Sequence, residues 1–307
     1  MSIYYPPPSS TNEYHLVAKT FRIYLHTLFI QTYHSTINNV TKILFTHYSP
    51  DTYLKRGYFD KLKNLIETVY NNSGQQRVVL LAHSMGSPTS LYFLTKIVDQ
   101  TWKDKHIRVY VTMAGVWHGA GKAAKSFATG DNEDIPLDKD SWGRASQRTY
   151  PANAWLLPYP SDTWTPEDII VVNEKRNYSA WDYKDLFTDL NYTRGWEMFN
   201  EIMNLTGQLP APNVTMYCFY GNISKTTPIQ FVYGPGKFPD QEPTTINGDG
   251  DGTVNIKSLM ACSRWQGKQY YNVTLRQFPG VEHVHTIKNK DVIAAVDAIV
   301  YSKDERR

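Results

Sequence analysis

Apolar residues in the first half of the chain follow two different patterns. From Tyr58 to Tyr70 they fall every three or four positions, which predicts an amphipathic helix ending at the turn formers Asn71–Gly74. The continuous apolar run Arg77–Ala82 is typical of a strand buried on both faces of a parallel sheet. A second helical pattern follows over 91–98, and Ile107–Thr112 predicts a second strand. Strand, helix and strand at this spacing form a βαβ unit, so the sheet is at least partly parallel.

The rest of the chain divides around a segment of different composition. Residues 116–213 are rich in Trp, Tyr, Pro, Asp and Asn and contain short helical patterns such as Trp181–Leu190. Strand patterns resume at Thr215–Tyr220 and Asn272–Phe278, and Asp291–Tyr301 predicts a final amphipathic helix. Residues 1–57 are weakly patterned, with one possible strand at 42–46. The predicted organisation is a divergent segment 1–57, a core formed by 58–115 and 214–307, and a cap at 116–213.

The sequence Ala82-His83-Ser84-Met85-Gly86 stands where the apolar strand ends and the helical pattern begins. A serine on such a sharp turn has a strained backbone, and small residues two before and two after it let strand and helix approach closely. This nucleophile elbow predicts Ser84 as the nucleophile of an α/β-hydrolase fold, with a mostly parallel sheet and an inserted cap region. The other interpretation is an ordinary serine in a turn between a strand and a helix.

A serine nucleophile needs a base and a carboxylate that orients it, and in this fold the chain order is Ser, Asp or Glu, then His. A Gly-rich loop offers Asp249 and Asp251; we prefer Asp251, because Val254 can anchor its loop in the core. Asp249 is then expected to hydrogen-bond the loop. The alternating Asp and Gly also resemble the start of a calcium loop, but the glutamate at position twelve and the flanking helices are absent.

His283 follows the last predicted strand and is the expected base, with His285 as the alternative. His83 is expected to pack under the elbow or to line the pocket. The backbone N–H of Met85 is the expected oxyanion donor, since it follows the nucleophile. A second donor normally comes from a loop after an early strand, but residues 1–57 contain a single glycine, Gly57, and no such loop is recognisable.

Composition excludes few function classes. Apolar residues make up 41% and charged residues 20% of the chain, an ordinary globular balance. The 22 Tyr and 8 Trp permit an apolar ligand or a lipid surface, whereas a net charge of +3 without a basic run gives no support to nucleic-acid binding. The apolar stretch 21–33 is too short and too interrupted to span a membrane. We expect no cofactor and no metal, because the chain lacks His-X-X-X-His and Cys-X-X-Cys pairs.

Eight Asn-X-Ser/Thr sequons favour passage through the secretory pathway. Two lie at Asn39 and Asn71, and the six that we expect to be glycosylated are Asn177, Asn191, Asn204, Asn213, Asn222 and Asn272. In that compartment the two cysteines are expected to form a disulfide rather than remain buried thiols. Residues 1–19 contain no apolar signal-peptide core. Either the sequons are idle in a cytosolic protein, or the sequence lacks its true start, which we prefer.

Several separated motifs carry a family resemblance over about residues 58–302. They are Ala82–Gly86, Leu91–Leu94, Trp102–Lys105, Gly130–Asn132, Trp155–Tyr159, Gly248–Asn255 and Glu282–His283. In this order they resemble the lecithin:cholesterol acyltransferase family, and most closely its lysosomal phospholipase A2 branch. Residues 1–57 do not resemble the family, whose members carry a signal peptide, a first strand with the second oxyanion loop and a disulfide-closed lid there. A truncated or divergent N-terminus is therefore expected.

The resemblance implies an α/β-hydrolase core with a cap, and Ser84, Asp251 and His283 as a catalytic triad. It also implies Met85 as an oxyanion donor, a disulfide between Cys218 and Cys262, and a lysosomal or extracellular location. The expected function is that of a phospholipid acyl hydrolase and O-acyltransferase that forms an acyl-enzyme. Its expected partners are phospholipid, a lipid alcohol acceptor and a peripheral membrane surface.

Two other functions stay open at this point. One is a non-catalytic lipid-binding glycoprotein of the same fold that lacks a complete oxyanion hole. The other is a hydrolase of small esters or peptides.

Overall fold

The computed structural model of the chain describes residues 40–42, 57–132, 140–207 and 209–302. Within these ranges eight strands form one sheet. The strands are β1 (Val40–Lys42), β2 (Val78–His83), β3 (Ile107–Met113), β4 (Val171–Val172), β5 (Asn177–Tyr178), β6 (Met216–Val232), β7 (Thr244–Gly250) and β8 (Val273–Pro279). The α-helices are α1 (Tyr58–Asn72), α2 (Gly86–Tyr92), α3 (Gln100–His106), α4 (Lys122–Ala128), α5 (Asp140–Gln147), α6 (Pro151–Trp155), α7 (Tyr183–Asp189), α8 (Thr193–Thr206), α9 (Ile256–Leu259) and α10 (Lys290–Val300).

The central part of the sheet is parallel, which confirms the predicted fold class. Strands β1, β2, β3, β6 and β8 lie side by side in that order and run in the same direction. The predicted strand at 42–46 meets β1 only at Lys42, and its other residues lie outside the described ranges. Because the carboxyl ends of parallel strands share one edge of the sheet, the loops after β2, β3 and β8 meet there.

Helices cover both faces of β2, as its continuous apolar run predicts. Alternate side chains of the strand enter two different cores, because successive residues of a strand point to opposite faces. Leu80 lies in the cluster that contains Ile66 of α1, and Leu81 lies in the cluster that contains Val292 of α10. Gly74 follows α1 with φ 68°, the left-handed conformation expected of a glycine just after a helix.

Strand β6 is much longer than the predicted strand Thr215–Tyr220. Its first half pairs in parallel with β3 and β8, while its second half pairs with β4 and, in antiparallel fashion, with β7. The Gly-rich stretch predicted as a loop therefore contributes β7 up to Gly250. The pairing leaves no space for a side chain at position 250, since a Cβ on Gly250 would stand 2.5 Å from the Thr227 hydroxyl oxygen.

The segment 116–213 carries helices α4 to α8 and the two short strands β4 and β5. A 3₁₀ turn at Ala180–Asp182 leads into α7, where the sequence predicts one helical piece. Aromatic side chains of this segment, Phe127, Trp164 and Phe187 among them, form a buried cluster. Met85 from the elbow packs into the same cluster, so this segment contacts the residue after Ser84.

Candidate active site

Strand β2 ends one residue before Ser84, and α2 begins two residues after it. Ser84 has φ 54°, in the left-handed region that a residue with a side chain rarely occupies. Its backbone N–H donates to the carbonyl oxygen of Met113 on β3 at 3.0 Å, which fixes the turn to the neighbouring strand. This is the strained turn that the small residues at 82 and 86 predict.

The loop after β7 presents Asp251, which is 1% exposed. Its Oδ1 accepts hydrogen bonds from the backbone N–H groups of Val254, at 2.7 Å, and Thr253, at 3.1 Å. Val254 is itself buried, as the choice of Asp251 over Asp249 assumes. The Gly252 N–H donates to the buried Thr227 hydroxyl at 2.8 Å, which attaches the loop to β6. These contacts leave Oδ2 of Asp251 available to a further donor.

His283 fills that position from the loop after β8. Its Nδ1 lies 2.7 Å from Oδ2 of Asp251, and its Nε2 lies 2.8 Å from Oγ of Ser84. An ionised carboxylate can only accept, so Nδ1 carries the ring proton in the neutral imidazole and Nε2 is left to accept from the Ser84 hydroxyl. The backbone N–H of His283 also donates to the carbonyl oxygen of Asp251 at 2.8 Å. The three predicted residues thus form one hydrogen-bonded chain.

The two alternative residues face elsewhere. The His285 ring is about half exposed, and its Nδ1 lies 3.0 Å from the carboxylate of Glu282. Asp249 accepts hydrogen bonds from the Ser224 hydroxyl at 2.9 Å and the Lys225 backbone N–H at 3.1 Å. Asp249 therefore holds the turn within β6 next to its own strand, close to the role that its sequence position predicts.

His83 makes a contact that sequence reasoning did not identify. Its Nε2 lies 3.0 Å from the backbone carbonyl oxygen of His283, and the two rings are 5.1 Å apart. Burial and, to a smaller extent, the nearby His283 together lower the pKa of His83 to about 4. Because a carbonyl oxygen can only accept, the neutral ring carries its proton on Nε2 and donates it to that carbonyl. The adjacency of His83 to Ser84 was visible in the sequence, but the partner, 200 residues away, was not.

The candidate oxyanion donor Met85 directly follows Ser84 and has a right-handed helical backbone. Its side chain is 5% exposed and anchored in the aromatic cluster of segment 116–213. The loop sought for a second donor falls in residues 1–57, nearly all of which lie outside the described ranges.

The two cysteines are paired, as predicted. A disulfide joins Cys218 on β6 to Cys262 in the 3₁₀ segment Met260–Trp265 that follows α9. Both residues are buried. The bridge ties the chain that follows Asp251 to the centre of the sheet.

None of the helices in the described ranges is both long and apolar enough to cross a bilayer.

Comparison with known proteins identifies the relatives of this chain. A family model described as lecithin:cholesterol acyltransferase matches residues 51–293. The human lysosomal phospholipase A and acyltransferase is 39% identical over 243 residues, which are 79% of this chain and 58% of that protein. The chicken phosphatidylcholine-sterol acyltransferase is 36% identical over 231 residues, which are 75% of this chain and 55% of that protein. This chain thus spans somewhat more than half the length of the relatives it matches.

Among solved structures, the crystal structure of the Tle4–Tli4 complex resembles this chain with a TM-score of 0.53 and 12% identity. The match covers 77% of this chain and 63% of that chain. At this identity the likeness concerns the fold alone.

Proposed function

Because this chain belongs to the lecithin:cholesterol acyltransferase family, we propose that it is a phospholipid acyl hydrolase and O-acyltransferase with Ser84, His283 and Asp251 as its catalytic triad. One observation carries the proposal: the hydrogen-bonded chain from Oγ of Ser84 through the His283 ring to Oδ2 of Asp251, with donor–acceptor distances of 2.8 and 2.7 Å. It joins residues from three separate loops at the carboxyl edge of the sheet.

In the proposed first half-reaction, Oγ of Ser84 attacks the carbonyl carbon of a phospholipid ester. Nε2 of His283 takes the hydroxyl proton, and the buried Asp251 carboxylate stabilises the imidazolium that forms. The backbone N–H of Met85 stabilises the negative charge on the carbonyl oxygen. When the ester bond breaks, His283 returns its proton to the leaving lysophospholipid oxygen, and the acyl group stays on Ser84.

The second half-reaction decides between hydrolysis and transfer. His283 removes a proton from water or from a lipid alcohol, whose oxygen then attacks the acyl-enzyme. Water gives a free fatty acid, and the alcohol gives a new ester. Ser84 recovers its proton from His283 in both cases, so a single site performs both reactions.

We further propose that residues 58–115 and 214–307 form the hydrolase core and that 116–213 act as a cap, beside the separate N-terminal segment 1–57. The buried aromatic cluster within 116–213 and its contact with Met85 support this division. The second half of β6 pairs both with β4 of the cap segment and with β7, so the boundary crosses a continuous sheet. A cap next to the elbow is suited to hold acyl chains over the site.

We also propose that the protein is a lysosomal or extracellular glycoprotein that works at a membrane surface. One relative is named a lysosomal enzyme, and a buried disulfide is typical of an oxidising compartment. Four of the six expected glycosylation sites, Asn177, Asn191, Asn204 and Asn272, are exposed. Asn213 and Asn222 are half-buried, and the Asn213 amide donates to Gln100 at 2.9 Å.

The test compares the protein with Ser84→Ala on phosphatidylcholine vesicles, with and without a long-chain alcohol. We expect the unaltered protein to release fatty acid and, with the alcohol present, to form its ester, and the variant to lose both activities. Ser87→Ala is the matched control: it removes a buried hydroxyl three residues away that has no hydrogen-bond partner within the described ranges. Undiminished release by Ser84→Ala would contradict the proposal, as would activity on short soluble esters without any on vesicles.

A further inference from the structure

The residue before the nucleophile contacts the loop that carries the base. His83 is the last residue of β2, and its ring nitrogen Nε2 lies 3.0 Å from the backbone carbonyl oxygen of His283. The ring is neutral above its pKa of about 4, and because a carbonyl oxygen can only accept, Nε2 carries the single ring proton in this contact. Strand β2 is thereby connected to the His283 loop at a second point besides the Ser84 hydroxyl.

Hydrogen bonds to the backbone N–H and C=O of His283 hold this residue from opposite sides. Its N–H donates to the carbonyl oxygen of Asp251 at 2.8 Å, and its C=O accepts from His83. The preceding loop supports this position through Gly280, whose N–H donates to Asn222 on β6 at 2.8 Å, and through the buried Val281. These contacts hold the backbone of His283 in place independently of the hydrogen bonds that its ring makes to Asp251 and Ser84.

The contact from His83 becomes most important once Ser84 is acylated. The acylated oxygen no longer carries a hydroxyl proton, so the hydrogen bond from Ser84 to Nε2 of His283 is lost. The ring must still stand close enough to activate the second nucleophile. Only contacts that survive acylation can hold it there. Among the described residues these include the hydrogen bonds that His283 donates to Asp251, the one that its carbonyl accepts from His83 at 3.0 Å, and a longer one that the carbonyl accepts from the Thr286 N–H at 3.4 Å.

We propose that His83 is a positioning residue, which holds the His283 backbone so that the ring stays aligned with Ser84 through both half-reactions. This role rests on the proposed function, since it requires that His283 act as the base. His83 acts only through His283 and has no role in proton transfer. Loss of its donor is expected to slow turnover, and deacylation most of all, because the acylated state depends most on the remaining contacts.

The experiment uses p-nitrophenyl butyrate, a soluble ester whose first half-reaction releases a coloured product. His83→Met replaces the donor by an apolar side chain of similar size. His83→Asn is polar, but its amide is too short to reach the His283 carbonyl. His83→Gln places an amide N–H near the original Nε2 position. We expect kcat to fall roughly 10- to 100-fold in the Met and Asn variants, since small misplacements of a catalytic group have effects of this size. KM should fall as well, because slower deacylation lowers both constants. A burst of one equivalent of product should then precede slow turnover, and Gln should recover most of the lost rate.

His106→Met is the matched control. His106 is also buried, and its Nδ1 donates to a backbone carbonyl, that of Trp102, at 2.8 Å. It lies on α3, away from the carboxyl edge of the sheet. Its substitution should lower the melting temperature about as much as His83→Met and leave kcat unchanged. If His83→Met does not fold, the comparison of Asn with Gln decides the question.

The outcomes separate this inference from the proposed function. An unaltered protein that neither turns over the ester nor reacts with a fluorophosphonate would refute the function itself. An active protein whose Met and Asn variants keep kcat within about twofold would overturn the role of His83 and leave the triad standing. A Gln variant as slow as the Met variant would also overturn the role of His83, because restoring the N–H donor would then not restore kcat.

Discussion

Replacing Asp251 by Asn changes one atom of the proposed triad and keeps its shape. The Asn carbonyl can still accept from Val254 and Thr253, which hold Oδ1 at 2.7 and 3.1 Å. Its NH₂ group then faces Nδ1 of His283 and donates to it. The ring proton is forced onto Nε2, where it blocks acceptance of the Ser84 proton. We therefore expect the variant to fold and to fail in catalysis.

The size of the effect follows from the burial of the site. Asp251 is 1% exposed, so water cannot replace the lost carboxylate. In serine protease triads, where geometry is likewise preserved, the equivalent change lowers kcat by roughly 10⁴-fold, about 5 kcal/mol of transition-state stabilisation. We expect a loss of this order in kcat on a soluble ester, with KM nearly unchanged because Asp251 lies behind the base.

Asp249→Asn is the control from the same loop. Its carboxylate is bound to Ser224 and Lys225, so we expect kcat to stay within about threefold of the unaltered protein. Thermal unfolding checks that both variants are folded. A loss of less than tenfold in kcat for Asp251→Asn, or an equal loss for Asp249→Asn and Asp251→Asn, would refute the proposed role of Asp251.

Two further predictions concern stability and modification. Gly221→Ala would place a Cβ 1.8 Å from the carbonyl oxygen of Val281, so we expect it to lower the free energy of unfolding by about 3 kcal/mol; Gly234→Ala, where the nearest atom is 3.5 Å away, should cost less than about 1 kcal/mol, and equal melting temperatures would contradict this. In protein secreted from animal cells, mass spectrometry after glycosidase treatment should find glycans at the exposed Asn177 and less occupancy at the half-buried Asn213, and full occupancy at Asn213 alone would refute that order.

Much of the core was predictable because its elements are locally consistent. The period of apolar residues in α1 and the continuous apolar run of β2 each specify one structure, and the turn between strand and helix restricts position 84 sterically. The order of Ser84, Asp251 and His283 along the chain then identified which polar residues meet. For these residues, sequence order and the known topology of the fold were sufficient.

Strand β7 was not predictable, because its pairing is set by distant residues. The second half of its sequence, Asn-Gly-Asp-Gly, has turn formers where strands usually carry branched or aromatic residues. The glycines are needed because β6 approaches so closely: a Cβ on Gly248 would stand 2.8 Å from Ile229. Tertiary pairing overrides local preference here. The contact of His83 with the His283 carbonyl was hidden for the same reason, since it depends on how the end of β2 meets the loop after β8.

The central claim is that Ser84 is an activated nucleophile, and covalent labelling tests it most directly. The protein is treated with a fluorophosphonate at neutral pH, digested, and its peptides are analysed by mass spectrometry. We expect one label per chain on Ser84, and loss of that label in His283→Ala, which removes the base 2.8 Å away. No label, or a label on another serine with Ser84 unmodified, would contradict it.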